Sequence, residues 1–109
     1  MGASMIYNYA PNRKVINDTT NSTTWHLVSS FPALDAGMFC QSVTLTSIAT
    51  GGGAAGSAFM VAWNVSTQSN DTTAALVPAG TVYVIPGDVH NVWIRKTAAS
   101  DNIVCTALY

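Results

Sequence analysis

The run "SAFMVAWNVS" at residues 57–66 sets Phe59, Val61, Trp63 and Val65 against Met60, Ala62 and Asn64. A period of two sends successive side chains to opposite faces, so the stretch reads as a strand with one face in a core. Similar short runs recur along the chain. "MFCQSVTLTSIA" (38–49) places Phe39, Val43 and Leu45 on one face and Met38, Cys40 and Ile48 on the other. "AALV", "TVYVI", "VHNVWIRK" and "IVCTALY" follow, separated by "TQSNDTT", Pro78-Ala79-Gly80, Pro86-Gly87-Asp88 and "TAASDN". Runs rich in β-branched and aromatic residues, each closed by turn residues, predict short antiparallel strands. Val82 and Val84 oppose Tyr83 and Ile85, and Val92 and Ile94 oppose Trp93. No segment after residue 37 reads as helix. The expected fold is all-β, an antiparallel β-sandwich or jelly roll of about seven strands.

With 109 residues, one domain is expected, burying roughly 65% of its unfolded surface. Two regions differ in texture. Residues 1–24 carry Ile6, Tyr7, Tyr9, Val15 and Ile16 in a polar background, with Arg13 and Lys14 side by side. This segment reads equally as an extended N-terminal arm that orders on a neighbouring subunit, or as an edge strand preceded by a loose leader. Residues 25–109 are the expected β-sandwich domain, with Trp25, Leu27 and Phe31 as its first anchors.

Only 8% of the residues are charged and the net charge is −1. No basic field exists to hold a phosphate backbone, so nucleic acid is not an expected partner. A surface with so little repulsion favours association between copies. No apolar run approaches the ~20 residues of a membrane helix, and the amino terminus does not read as a secretory signal. Gly2 lacks the Ser or Thr at position 6 that myristoylation prefers. Sequons at Asn17, Asn21, Asn64 and Asn70 arise readily by chance in a chain this rich in Asn, Ser and Thr.

Candidate chemistry is sparse. Cys40 and Cys105 fit either a disulfide between distant strands or, the favoured reading, two reduced buried thiols. The order Cys40, Trp63, Cys105 resembles an immunoglobulin domain, but the tryptophan lies too far on and Ile103 stands where the corner tyrosine belongs. The glycine cluster at 51–56 is expected to be a flexible turn, since it lacks the Gly-Lys-Ser/Thr ending of a phosphate loop. Gly80, Pro86, Gly87, His90 and Asn91 resemble part of the second cupin motif. The first motif's paired histidines are missing, and His26 is the sole other histidine. Three or four ligands are needed for a mononuclear site, so no metal and no cofactor are expected. The chain has no Glu; Asp35, Asp71, Asp88 and Asp101 fall in expected loops, and no serine has a nucleophile-elbow context. The expectation is not an enzyme, and no catalytic residue is assigned.

The last 45 residues, "VSTQSNDTTAALVPAGTVYVIPGDVHNVWIRKTAASDNIVCTALY", resemble the small β-rich virion proteins of tailed bacteriophages. In both, a Ser/Thr-rich turn, a short step ending in glycine, a β run, an aromatic-aliphatic strand and a last strand follow in order. The resemblance implies a capsid decoration or cement protein, forming a homotrimer or larger homo-oligomer on the major capsid protein or other virion proteins. It implies assembly in the host cytoplasm and residence in the virion. Tyr7 and Tyr9 are the arm residues expected at the partner interface, with Arg13 and Lys14 facing capsid carboxylates. The competing expectation is a carbohydrate- or receptor-binding module of a phage tail, with Trp25 or Trp93 as stacking platform, and behind it a cupin-like metal protein.

Overall fold

The computed structural model describes residues 13–31, 39–51 and 53–109. Among these, eight strands form two four-stranded antiparallel sheets and no helix occurs. The strands are β1 (Arg13–Asp18), β2 (His26–Ser30), β3 (Cys40–Ile48), β4 (Phe59–Trp63), β5 (Ala75–Val77), β6 (Val82–Val89), β7 (Asn91–Lys96) and β8 (Asn102–Leu108). Sheet order is β1-β8-β3-β6 in one layer and β2-β7-β4-β5 in the other. Every connection except β4 to β5 crosses between layers, which is the jelly-roll arrangement.

The eighth strand is β1. It lies antiparallel on β8 from Arg13↔Leu108 to Asp18↔Ile103. Of the two readings open for residues 1–24, the edge strand therefore describes 13–18. The preceding residues, with Tyr7 and Tyr9, lie outside the described residues.

The core is the dry space between the sheets. Val43, Leu45, Ile85, Ile103, Cys105 and Ala107 face Phe59, Val61, Val77, Val92 and Ile94, all fully buried or nearly so. Alternation works as expected in β6, β7 and β8, where the outward partners are Val82 and Val84, Trp93, and Val104 and Thr106. Burying each aliphatic side chain is worth about 1.5–3 kcal/mol, and these stripes are the main source of stability.

Irregularities change four expectations. Cys40 shares the buried face with Val43 rather than opposing it. The register shifts between Cys40 and Ser42, so that Ile85 to Val89 on β6 is matched by the shorter Val43 to Cys40 on β3. Gly87, at φ 92°, supplies the left-handed step of this bulge. Pro86-Gly87-Asp88 is consequently a kink inside β6, and the chain changes sheet at His90. A second bulge, between Leu27 and Ser29, turns Leu27 outward at 43% exposure while Val28 packs on the core. Of the expected first anchors, Phe31 alone reaches the core. Finally, β4 stops at Trp63 because Asn64 takes φ 57°, so Val65 leaves the sheet.

The glycine cluster is more specific than a flexible turn. Gly51 and Gly53 hold positive φ, but Gly56 is there for space: a Cβ would overlap the Ser47 hydroxyl and lie 3.0 Å from the Asp101 carboxylate. Its N–H donates to the Ser47 carbonyl at 2.9 Å. Gly56→Ala should therefore lower the unfolding free energy by about 1–3 kcal/mol, as overpacking does. Urea denaturation measures it, and an unchanged midpoint would refute the close approach.

Candidate functional site

Titratable groups gather in three places. The first is the polar end of the sandwich, where β1 stops and β2 and β8 start. His26 Nε2 lies 2.7 Å from Asp18 Oδ2, and Thr20 donates its hydroxyl to Asp18 Oδ1 at 2.8 Å. Lys96 is 1% exposed, and its ammonium donates to the carbonyls of Thr20 and Asp101. Asp101 Oδ2 accepts from the Ser57 N–H at 2.6 Å and from the Ser47 hydroxyl at 3.5 Å. A lysine this deep must give its protons to oxygen, and two carbonyls do the work of a counter-ion. Every group here is turned inward on another, so the cluster joins β1 and β2 and closes the end of the core.

The Asp18 carboxyl is pushed up by burial, but the bonds from His26 and Thr20 outweigh this and hold it below its ordinary value of 3.8. A depressed acid stabilises the fold fully above that value, and the contribution disappears as pH falls through the lower folded value. The urea midpoint should accordingly fall as the pH is lowered through and below 3.8. Asp18→Asn should flatten that dependence; the same slope in the variant would assign acid lability elsewhere.

The second place is the opposite end. His90 Nε2 lies 2.9 Å from Asp88 Oδ2, with His90 53% exposed. Asn64 accepts the His90 N–H at 2.6 Å and donates to the Asp88 carbonyl, tying the β4 exit to the crossing between sheets. His26 stands opposite Ile94, while His90 precedes Asn91, so the two histidines sit toward different ends of β7 and share no site. Among the described residues, no group of three or more His, Cys, Asp or Glu is placed to hold a metal.

Both cysteines are free and buried. Cys105 faces Leu45 across the β3–β8 ladder. Cys40 lies further along β3 by far more than the ~7 Å that a disulfide allows between Cα atoms. Burial pushes the Cys105 thiol up to about 12, and raises Cys40 as well. Neither is a reactive thiolate.

The third place is on the outside of the β2-β7-β4-β5 sheet, where the loop 64–74 folds back over the strands. The Trp93 indole N–H donates to the Val65 carbonyl at 3.3 Å, and the Asn91 amide clasps Val65 at both its N–H and its carbonyl. At the far end of the loop, Arg95 grips Asp71 through Nε and Nη2, each at 2.9 Å, while Trp25 Nε1 donates to the same carboxylate at 2.9 Å. The Arg95 and Trp25 bonds hold the Asp71 carboxyl below its usual range. Beside this clamp is an open depression of about 400 Å³ lined by Thr23, Thr24, Trp25, Gln68, Ser69 and Arg95.

The sequence-expected residues therefore separate. Trp93 is engaged by the loop that crosses it, while Trp25 borders open space. Arg13 and Lys14 are exposed at the start of β1 and make no ion pair among the described residues. Asp71, Arg95 and Gln68 escaped the sequence reading as a group, because no spacing links loop residues to β2 and β7 before the loop is folded. Asp35 lies outside the described residues.

The geometry defines an eight-stranded jelly roll whose titratable clusters mostly serve the fold. No family model matches the chain, and no curated protein matches it. The chain is similar, at 13% identity over 89% of this chain and 85% of that chain and with a TM-score of 0.46, to a solved structure described as "Bacillus endospore appendages form a novel family of disulfide-linked pili". A likeness that distant bears on neither chemistry nor partners.

Proposed function

We propose that this protein is a non-catalytic structural subunit of a tailed-bacteriophage virion, a capsid decoration or cement protein that works by adhesion. The observation that carries the reading is the outer face of the β1-β8-β3-β6 sheet. Its cross-strand neighbours are Val15, Thr106, Thr44 and Val84 in one row, and Asn17, Val104, Thr46 and Val82 in the next. Val15, Val82 and Val84 are 58%, 63% and 56% exposed. Among the described residues, these two rows carry no charge; Arg13 stands at one end of the face and Asp88, 34% exposed, beside the β6 kink.

A monomer with a solvated sheet face normally carries charge there, and an exposed β-branched face without it is a contact surface. Its projected footprint is on the order of 400 Å², from strand spacing and rise. A stable interface takes roughly 800 Å² per partner. One face is then too small for tight one-to-one binding, and suits a repeated contact in a symmetric array or a contact enlarged by residues 1–12. The fold itself is neutral between readings, since jelly rolls serve capsid proteins and lectins alike. The resemblance of residues 65–109 to phage virion proteins favours the capsid, with the major capsid protein as partner and a homotrimer or larger ring as the assembled state.

Light scattering on a sizing column over a range of concentrations tests the reading. A trimer or larger closed assembly is expected, and Val84→Lys should return it to monomer without changing the far-ultraviolet spectrum. A wild-type chain that stays monomeric at every concentration would overturn self-association through this face. Removing residues 1–12, rather than cutting inside β1, should leave a folded domain with weaker assembly, which the same measurement reads.

A further inference from the structure

We infer that the depression beside Trp25 is a binding site for a neutral saccharide. Independently of how the other sheet face is used, this place combines an aromatic wall, fixed polar groups and accessible space. Its volume of about 400 Å³ lies within the range of small-ligand sites, about 300–1,000 Å³. A pyranose ring needs an aromatic face for its C–H groups and a few oriented donors and acceptors for its hydroxyls.

The walls supply both. Trp25 is held at its indole N–H by Asp71, so the ring is fixed by its edge while it borders the depression. Arg95 is oriented by the same carboxylate through two bonds, and its Nη1 makes no hydrogen bond among the described residues. Because Asp71 already compensates the guanidinium, the site gains little from an anionic ligand. This favours an uncharged sugar over a uronate or a phosphate.

Gln68 is the second, separate observation. It is 6% exposed, yet only its amide nitrogen is engaged, donating to the Asn70 carbonyl at 2.5 Å and to the Thr73 hydroxyl at 3.1 Å. Its carboxamide oxygen accepts no bond among the described residues. With its nitrogen held, the side chain is fixed at the wall, and its oxygen, which is not a buried orphan, reaches solvent where it can accept a hydroxyl proton. Gln68 also borders a neighbouring depression of about 340 Å³ that contains Trp63 and Thr73.

The test is a ¹H–¹⁵N NMR titration of the full chain with methyl α-glucopyranoside, methyl α-galactopyranoside, N-acetylglucosamine, maltose, cellobiose and, as the anionic comparison, glucuronate. At least one neutral sugar should give saturable shifts of the Trp25 indole and Gln68 carboxamide signals, with a Kd on the order of 1 mM or tighter, while the Trp93 indole stays in place. Ser69→Ala should weaken binding by about threefold to tenfold, and Trp25→Ala should abolish it while Trp25→Phe retains it. Shifts confined to Trp93 or to the other sheet, binding of glucuronate alone, or no saturable shift with any sugar would each overturn the inference.

Discussion

The contact between the two sheets is the constraint on which this molecule stands. Among consecutive strands, β4 and β5 alone are ladder neighbours; each other ladder joins segments distant in sequence. Neither sheet can therefore form first as a series of local hairpins. Each sheet also presents an apolar face that is stable only when the other covers it. Loop-closure entropy must be met before most of these contacts exist, so folding should be slow and cooperative.

The ends of the sandwich follow from the same constraint. Chain crossings put backbone polar groups over the edges of the core, where they must be satisfied without water. At one end Lys96 and Asp101 collect the carbonyls and N–H groups of the crossings, and Asp18 with His26 joins the strands that belong to different sheets. At the other, the side chains of Asn64 and Asn91 serve the chain where it leaves β4 and enters β7. Polar side chains in this protein act mainly as substitutes for missing ladder partners.

Alternation made the six strands from β3 to β8 legible; it put Phe59 and Val61 in the core correctly, and it set Val43 with Leu45, and Val92 with Ile94, on shared faces that the structure buries. It failed where parity is broken: at Cys40, at Leu27 and at the β4 exit. Bulges are set by how two strands meet, and a single strand carries no record of its partner's register. Gly87 and Asn64 were visible as turn formers, but their actual task, a kink within β6 and the end of β4, depends on neighbours. β1 was obscured by the polar residues around it, because an edge strand has one ladder and needs few apolar side chains. The third cluster was invisible for a related reason: Trp25, Gln68, Asp71 and Arg95 come from a strand entrance, a loop and a strand in the sheet beneath it.

The two outer faces then account for the low charge. The β2-β7-β4-β5 sheet hides much of its outer surface beneath its own loop, so Trp93 and Arg95 are engaged from within the chain. The β1-β8-β3-β6 sheet has no such cover among the described residues, and Val15, Val82 and Val84 stand in the open beside half-buried threonines. Lysine or glutamate on those positions would keep the face solvated and the chains apart, at little cost to the core, since the positions point away from it. Threonine and valine hold the strands as well but leave the face ready to be covered. A fold that needs only its inner faces for stability is free to use its outer ones for contact, and among the described residues the two central rows of the bare one carry no charge.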